Sequence, residues 1–410
     1  MTRSTAPRPR VGDPYGIGPV GSWIAPALSI VGLLIVALIT LSLLDGKAPF
    51  VGGTNVGGSG SGGGGATRTA TPPDVVLVPD ITFPGSIVYA KAGNIWVQTG
   101  KDPRQLTSGP HDSMPSWSPD GTYVYFIRTT EEVGIWPSQG RDSRYNMTIP
   151  SVVRVKTDGS GAVEPVLSGR ISRGAETWFS WIRQPIVAPN GTTLALVSDG
   201  PDPTKSDVVL QFYDLTTNKR RVPGLSENSP LGHQDPVWRP DGQVLLYVRN
   251  GREAARGAPI IYRLEVSSGR SAPLTGPGYL EPAFSPDGRY LAATKTSSFG
   301  NDIVILDASR GQELLRVTND GSSWAPVWSP TGDSIAFLHI EGQIVDLERV
   351  TLDGTAPNWT VAKTVALTDH SGLDGASRPG WFVPANEQLA PIPTSSGGAA
   401  PSAGGGSAAP

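Results

Sequence analysis

Histidine, carboxylate and arginine side chains recur just before a set of prolines in this 410-residue chain. They stand one to four residues ahead of a proline, at His111, Asp112, His233, Asp235, Glu281 and Arg378. Imidazole and carboxylate groups can hold a metal ion, transfer protons or bind a charged ligand. We take these six as candidates for ligand or partner contact. The alternative is that the acidic side chains cap local turns.

Metal chemistry needs more than the presence of these residue types. A site needs about three ligands that converge on one point. His111 stands four residues before its proline and His233 stands three before its own, so the two do not share a register. No H-x-H or H-E-x-x-H motif fixes their geometry. The sequence therefore predicts no metal site, no cofactor and no catalytic residue.

Aromatic and arginine side chains are concentrated in a second region, an insertion at residues 129–150 and the segment 172–184. The candidates there are Trp136, Arg141, Arg144, Tyr145, Trp178 and Phe179. Long loops in compact domains often carry function, and exposed aromatic and arginine side chains suit a protein interface or a saccharide platform. The alternative is that the aromatic side chains cap the end of a hydrophobic core, which we expect first for Trp181.

A repeated heptapeptide places these candidates in the chain. It reads PSWSPDG from Pro115, PVWRPDG from Pro236, PAFSPDG from Pro282 and PVWSPTG from Pro326, with worn copies from Pro185 and Pro379. Ser-Pro-Asp-Gly fits a type I β-turn, because proline presets φ at the second position and glycine suits the fourth. In five copies an aromatic residue follows the first proline by two positions, at Trp117, Trp238, Phe284, Trp328 and Trp381. We predict that these five are structural anchors between units.

Strand-like runs flank each turn and give a long repeat. The first prolines are 44 to 70 residues apart, and a period of about 40 to 50 residues with four short strands is typical of a β-propeller blade. The block at 86–109 has the second, third and fourth strands of a blade but lacks the first strand, which carries the motif proline. The block at 379–383 has only that first strand. Joining the two in one blade removes two exposed sheet edges. The sequence therefore predicts an all-β, six-bladed propeller with a shared closing blade.

The repeats resemble the WD40-like (PD40) repeat of the TolB family, over about Ser86 to Val383. The resemblance implies a six-bladed scaffold that binds something, but it does not imply a reaction. Some propeller lyases that are similar to this family use histidines around the channel mouth. This likeness is the basis of an enzymatic alternative.

The flanking sequences predict the chain's location. Residues 23–44 carry no charge over 22 positions, enough for a helix of about 33 Å that would cross a bilayer. Arg3, Arg8 and Arg10 precede this span, so we expect residues 1–22 in the cytoplasm. A cleaved signal peptide is the alternative. Residues 45–82 read as a Gly/Ser/Pro-rich linker, 83–387 as the propeller and 388–410 as a disordered tail. The expected location is the cytoplasmic membrane, single-pass, with the propeller on the extracytoplasmic side.

Charge and topology complete the functional prediction. The net charge of −3, with 17% charged residues, gives no basic surface for nucleic acid. Alternating strands place the tight turns on one face, which we expect to be structural, and the long connections on the other, which we expect to bind. We predict a membrane-anchored module that binds an unknown protein or cell-envelope component. The alternative is a lyase- or lactonase-like enzyme that acts on a saccharide or small ligand.

Overall fold

The computed structural model describes residues 76–77, 82–138, 141–203, 207–225, 232–250 and 258–382. The predicted cytoplasmic segment, the predicted membrane helix, most of the predicted linker and the C-terminal tail lie outside these ranges. Among the described residues, no helix has the length and apolar character needed to span a bilayer.

Six β-sheets form the domain and correspond to the six predicted blades. Blade 1 contains β2 (Ser86–Lys91), β3 (Asn94–Thr99), β4 (Asp102–Gln105) and β27 (Gly380–Phe382). Blade 2 contains β5 (Asp112–Trp117), β6 (Tyr123–Ser138), β7 (Arg141–Lys156), β8 (Glu164–Ser168), β9 (Arg170–Arg173) and β10 (Glu176–Phe179). Blade 3 contains β11 (Ile182–Val187), β12 (Thr193–Ser198), β13 (Val209–Asp214) and β14 (Arg220–Arg221).

The remaining three blades follow in chain order. Blade 4 contains β15 (His233–Trp238), β16 (Val244–Arg249), β17 (Ile260–Glu265) and β18 (Ser271–Pro273). Blade 5 contains β19 (Tyr279–Phe284), β20 (Tyr290–Ser297), β21 (Gly300–Asp307) and β22 (Glu313–Arg316). Blade 6 contains β23 (Ser323–Trp328), β24 (Ser334–Glu341), β25 (Ile344–Asp353) and β26 (Thr360–Ala366), with β1 (Val76–Leu77) at its edge.

The hydrophobic core lies between neighbouring blades. The second strand of a blade is covered on both faces and is therefore continuously apolar, as in β16, which reads VLLYVR. Val244, Leu246 and Val248 of this strand pack against Leu291 and Val304 of blade 5. Because each blade buries its face on the next blade, an open ring would leave two such faces exposed to water.

The closing blade joins the two ends of the propeller, as the repeat pattern predicts. β27 pairs antiparallel with β2, with Trp381 opposite Ile87. The Trp381 Nε1–H donates to the Pro84 carbonyl oxygen at 2.8 Å, and its ring contacts Phe83 at a centroid distance of 5.5 Å. Residues near both ends of the described range therefore share one sheet and one hydrophobic cluster.

The insertion in blade 2 differs from the prediction of a long loop. β6 and β7 continue as a regular hairpin beyond the propeller blade, and β10 pairs with the far part of β6. Alternating polar and apolar residues such as Arg144, Asn146 and Met147 suit a strand with one covered face. We call this extension, with β9 and β10, the arm.

The predicted linker boundary also needs correction. Val76 and Leu77, which we placed in the linker 45–82, pair parallel with Val365 and Ala366 of β26. The run VVLV around them has strand composition. The N-terminal segment therefore adds a short strand to the outer edge of blade 6 before the chain enters blade 1.

Candidate functional site

The first strand of five blades carries a β-bulge directly before the motif proline. The residue at the bulge has a positive φ of 52 to 53°, although none of these residues is glycine: Met114, Gln184, Asp235, Glu281 and Ala325. The pairing register shifts at the same position in each of these blades. A bulged residue leaves the ladder, so its N–H is available for another partner.

These bulged residues and Arg378, the equivalent position in blade 1, form what we call the floor ring. The first strands of adjacent blades lie side by side around the axis, which brings the six positions together. Gln184 Oε1 accepts a hydrogen bond from the Asp235 N–H at 2.8 Å, and Asp235 Oδ2 accepts one from the Glu281 N–H at 3.2 Å. Glu281 Oε2 accepts from the Ala325 N–H at 2.9 Å. Each side chain thus holds the backbone of the next blade.

A serine makes the corresponding bond between blades 1 and 2. The Met114 N–H donates to Ser377 Oγ at 2.9 Å, and Ser377 Oγ donates to Asp374 at 2.5 Å. In blade 1 the motif residue is Arg378, and its guanidinium cannot accept a hydrogen bond. The neighbouring Ser377 therefore accepts the bond from the Met114 N–H in its place.

Arg378 of blade 1 extends past blade 6 and contacts blade 5. Its Nη2 donates to the Pro282 carbonyl oxygen of blade 5 at 2.6 Å, although Arg378 belongs to blade 1. Blade 6 contributes Ala325 to the floor ring, and this small side chain leaves room for the guanidinium. Arg378 also interacts electrostatically with Asp235 and Glu281, so one cation faces two carboxyl groups.

The carboxyl groups of the floor ring have raised pKa values. Burial, together with the neighbouring Asp235 carboxyl, raises the pKa of Glu281 to about 7. Burial raises the pKa of Asp235 as well, although Arg378 opposes the shift. Desolvation disfavours the charged form of a carboxyl group, and two close carboxyl groups disfavour double ionisation. Glu281 is therefore partly neutral near pH 7.

Above the floor ring, the channel widens into a cavity of about 590 Å³, within the range of small-ligand sites. The residues that directly follow the motif prolines form its wall ring: Ser116, Ile186, Val237, Ala283, Val327 and Gly380. The turn prolines form its rim: Pro119, Pro189, Pro240, Pro286 and Pro330. We call this cavity the funnel. It is predominantly apolar, with Asp235, Gln184 and Arg378 at its base.

The position of the funnel corrects the expected roles of the two faces. The tight turns surround its mouth, so the turn face that we expected to be only structural carries this cavity. Trp117 and Phe284 are partly exposed in its lining, whereas Trp238, Trp328 and Trp381 are buried. The Nε1–H of Trp117 donates to the Gly380 carbonyl oxygen at 2.9 Å, across the junction of blades 2 and 1. These aromatic anchors form the outer wall of the funnel and connect blades.

The acidic and histidine candidates separate into two groups. Asp235, Glu281 and Arg378 meet at the channel, inside it rather than on a loop face. The bulges turn Asp235 and Glu281 inwards. Asp112 is buried and forms a two-point ion pair with Arg128, with N–O distances of 2.7 and 2.8 Å. Asp112 is therefore a structural residue.

The histidines do not converge. His111 is exposed, whereas His233 is 2% exposed and accepts a hydrogen bond from the Leu210 N–H at 3.1 Å. Burial lowers the pKa of His233 to about 4, so this side chain is neutral and belongs to the interior of blade 4 rather than to a ligand site. His339 contacts Ser323 and His370 contacts Asp369. The described residues contain no group of three or more potential metal ligands.

The aromatic candidates on the arm also divide. Trp178 is 5% exposed and packs with Met147 and Ile149 in a small core of the arm, so it is not a free contact residue. Trp181, which we expected in the core, is 51% exposed. Its neighbours Ser180 and Ile182 are buried, so the Trp181 side chain points to the opposite side of the chain. Tyr145 is 45% exposed.

The other arm candidates lie nearby. Phe179 packs against the arm core, and Arg144 is exposed. Trp136 and Arg141 belong to β6 and β7 near the hairpin tip, and their side chains fall outside the described part of the chain. The arm thus offers isolated exposed side chains, whereas the funnel offers a cavity.

Sequence reasoning missed the wall ring. Its members differ in type, but all directly follow the motif proline. In five blades a bulge precedes this position and directs it to the channel, and Gly380 lines the same cavity in blade 1. A repeat alignment combined with the bulge would have identified them, because residues that share one position in every blade surround the same axis.

Comparisons with known proteins agree with this architecture. No family model matches the chain. Over 149 residues it is 26% identical to the uncharacterized protein Atu1656 of Agrobacterium fabrum, which covers 35% of this chain and 47% of that protein. Over 232 residues it is 26% identical to the uncharacterized peptidase YuxL of Bacillus subtilis, which covers 47% of this chain and 31% of that protein. The matches therefore span less than half of each relative.

Solved structures give wider coverage. TolB from Acinetobacter baumannii superposes with a TM-score of 0.51 at 17% identity, over 72% of this chain and 66% of that one. A putative TolB from Agrobacterium tumefaciens gives a TM-score of 0.48 at 18% identity, over 72% and 92% of the two chains. The chain thus carries a six-bladed β-propeller with the TolB-like fold.

Proposed function

We propose that this protein is a membrane-anchored binding module that holds a segment of a protein or cell-envelope partner in the funnel on its turn face. The observation that carries the proposal is the funnel itself, with its apolar wall above a floor of polar groups. Pockets of this kind bury apolar ligand surface and use a few polar groups to fix orientation.

The floor ring supports binding rather than proton transfer. Asp235 and Glu281 already accept hydrogen bonds from backbone N–H groups of the next blade, and Gln184 donates to Asp235 at 2.6 Å. These bonds engage the carboxyl groups in holding the ring together. A general base instead needs to be free to reach the substrate. The geometry therefore favours the binding module over the lyase-like alternative.

The location rests on the flanking sequence. The uncharged span 23–44 supports a single membrane helix, and the three arginines before it support an N-terminus in the cytoplasm. A Gly/Ser-rich stretch follows, and such a linker would let the propeller search the space near the membrane. A tethered propeller with an open funnel suits capture of a partner in the envelope.

Affinity capture with matched variants tests the proposal. Full-length protein in detergent is incubated with a solubilised cell-envelope fraction, and bound proteins are quantified by mass spectrometry. Val237→Arg and Val327→Arg place a charge in the wall ring, and both should reduce specific capture at least tenfold. Tyr145→Arg on the arm is the control and should leave it unchanged. Circular dichroism and thermal melting confirm the fold of each variant. Loss of capture in the arm variant alone would refute the funnel as the site.

A further inference from the structure

The C-terminal strand ends at the mouth of the funnel. β27 is the first strand of blade 1 and runs towards the turn face, where Phe382 lines the cavity. In the other five blades, a tight turn and a returning strand follow this point. In blade 1, residues 383–410 follow instead. The rest of the chain therefore starts from the rim of the cavity.

Phe382 gives this segment a fixed starting point. Its ring packs on Trp117 with a centroid distance of 5.2 Å. The Phe382 ring also lies next to Gly121 of blade 2. A Cβ added at Gly121 would be 2.2 Å from the Phe382 ring. Eleven residues, 383–393, can span at most about 36–40 Å when fully extended. This reach is sufficient for them to enter the funnel from its rim.

The composition of this segment matches the funnel wall. Residues 389–393 read Leu-Ala-Pro-Ile-Pro and carry no charge. The wall ring presents Ile186, Val237 and Val327, which offer no side-chain hydrogen-bond partner. Prolines lack an N–H group, so a proline-rich segment leaves fewer unpaired donors when such a wall covers it. Proline also favours an extended backbone before binding, which lowers the entropy lost on docking.

We propose that residues 387–394 of the same chain bind in the funnel and compete with its external partner. This inference rests on the proposed function, because it assigns the same cavity a resident occupant. A short tether gives the segment an effective concentration of about the millimolar range, so even weak contacts fill the cavity. An external partner must then displace the tail, which makes the tail an autoinhibitory element.

A contact-quenching experiment tests whether the tail lies in the funnel. The chain has no cysteine, so Ser395→Cys provides one labelling site for an oxazine dye that tryptophan quenches on contact. In the full-length protein, the dye should be quenched, and Val237→Arg or Val327→Arg should at least halve the quenched fraction. Tyr145→Arg should leave it unchanged. If neither wall variant alters the quenching while both remain folded, the tail does not bind in the funnel.

Competition by a synthetic peptide provides the second readout. The peptide EQLAPIPTS, which copies residues 387–395, is titrated into full-length protein. It should bind at least tenfold more tightly to the Ile392→Asp variant than to the wild type, because the altered tail vacates the funnel. Ser402→Asp adds the same charge outside the proposed segment; it is the matched control and should leave the affinity unchanged.

The outcomes separate the two proposals. If the peptide binds no variant while partner capture still depends on Val237, the tail inference fails and the proposed function stands. If the peptide binds and capture is insensitive to the wall ring, the funnel is a site for the tail only. If an external partner binds Ile392→Asp no more tightly than it binds the wild type, the tail does not compete with it. That result overturns the inference.

Discussion

At the scale of single residues, the floor ring combines a structural and an electrostatic role. Asp235 and Glu281 each bond the next blade through a backbone N–H, in a site where burial disfavours their charge. Arg378 supplies the neighbouring positive charge. The protonation state of Glu281 should therefore affect the stability of the ring directly.

The sign of this effect follows from the raised pKa. Folding raises the pKa of Glu281 from 4.5 to about 7, so the folded protein holds a proton that the unfolded chain releases. The stabilisation is complete below about pH 4.5 and is lost as the pH rises through 7. Between pH 5 and 8, the free energy of unfolding of the wild type should fall by on the order of 1–3 kcal/mol. Glu281→Gln should abolish this fall. Urea denaturation across this range measures it.

His233 acts in the opposite direction and serves as an internal check. Its pKa is lowered to about 4, so its contribution is present above about pH 6.5 and declines as the pH falls. Glu281→Gln should leave this acidic decline in place. Equal pH profiles for the wild type and Glu281→Gln would contradict the assignment to Glu281.

A pair of turn glycines isolates the contact that holds the closing strand. Gly121 and Gly191 occupy the same turn position, with φ of +70° and +71°. A Cβ at Gly121 would meet the Phe382 ring at 2.2 Å, whereas nothing lies within 4 Å of one at Gly191. Both Gly→Ala changes cost about 1 kcal/mol through backbone strain, and Gly121→Ala should cost about 1–3 kcal/mol more through the clash. Equal losses in urea denaturation would mean that the Phe382 contact contributes nothing.

At the scale of elements, β27 closes the ring. Trp381 is buried in the cluster shared by blades 1 and 6, and its indole bonds the Pro84 carbonyl. Trp381→Ala should lower the free energy of unfolding by about 3–5 kcal/mol in one cooperative transition. Trp181→Ala is the matched control, since this tryptophan is half exposed and should cost less than about 1 kcal/mol. A separate early transition confined to blade 1 would show that closure does not couple the blades.

The repeat elements were predictable because local chemistry determines them. The turn Ser-Pro-Asp-Gly, the apolar second strands and the unpaired motif strand near Pro379 specify blade boundaries, blade number and closure. The arm was not predictable in the same way. Its strands lack a repeat partner, and whether Trp178 or Trp181 is buried depends on how β10 docks on β6.

The candidate site was predicted only in part, for a related reason. Asp235, Glu281 and Arg378 were identified from their position before the motif proline, but their direction was not. For Asp235 and Glu281, that direction depends on a positive φ that non-glycine residues rarely adopt and that a bulge imposes. The funnel could therefore be recognised only from the folded backbone, because no residue type in the wall ring indicates a site.

At the scale of the whole molecule, the proposed arrangement is a binding propeller outside the membrane, tethered by the sequence between the predicted membrane span and blade 1. Protease added to intact cells or spheroplasts should release the propeller by cutting within 45–75, because Gly/Ser-rich sequences are easy protease substrates. The size of the released fragment on a gel measures this. Protection of the propeller together with cleavage before residue 23 would show the opposite orientation in the membrane.

Site-specific photocrosslinking in living cells tests the central claim most directly, namely that the funnel on the turn face holds the partner. A photoreactive amino acid is placed at Val327 in the wall ring or at Tyr145 on the arm, and ultraviolet light is applied. We expect a discrete higher-mass adduct from position 327 and none from position 145. An adduct from position 145 with none from 327, in proteins that melt at the same temperature, would contradict it.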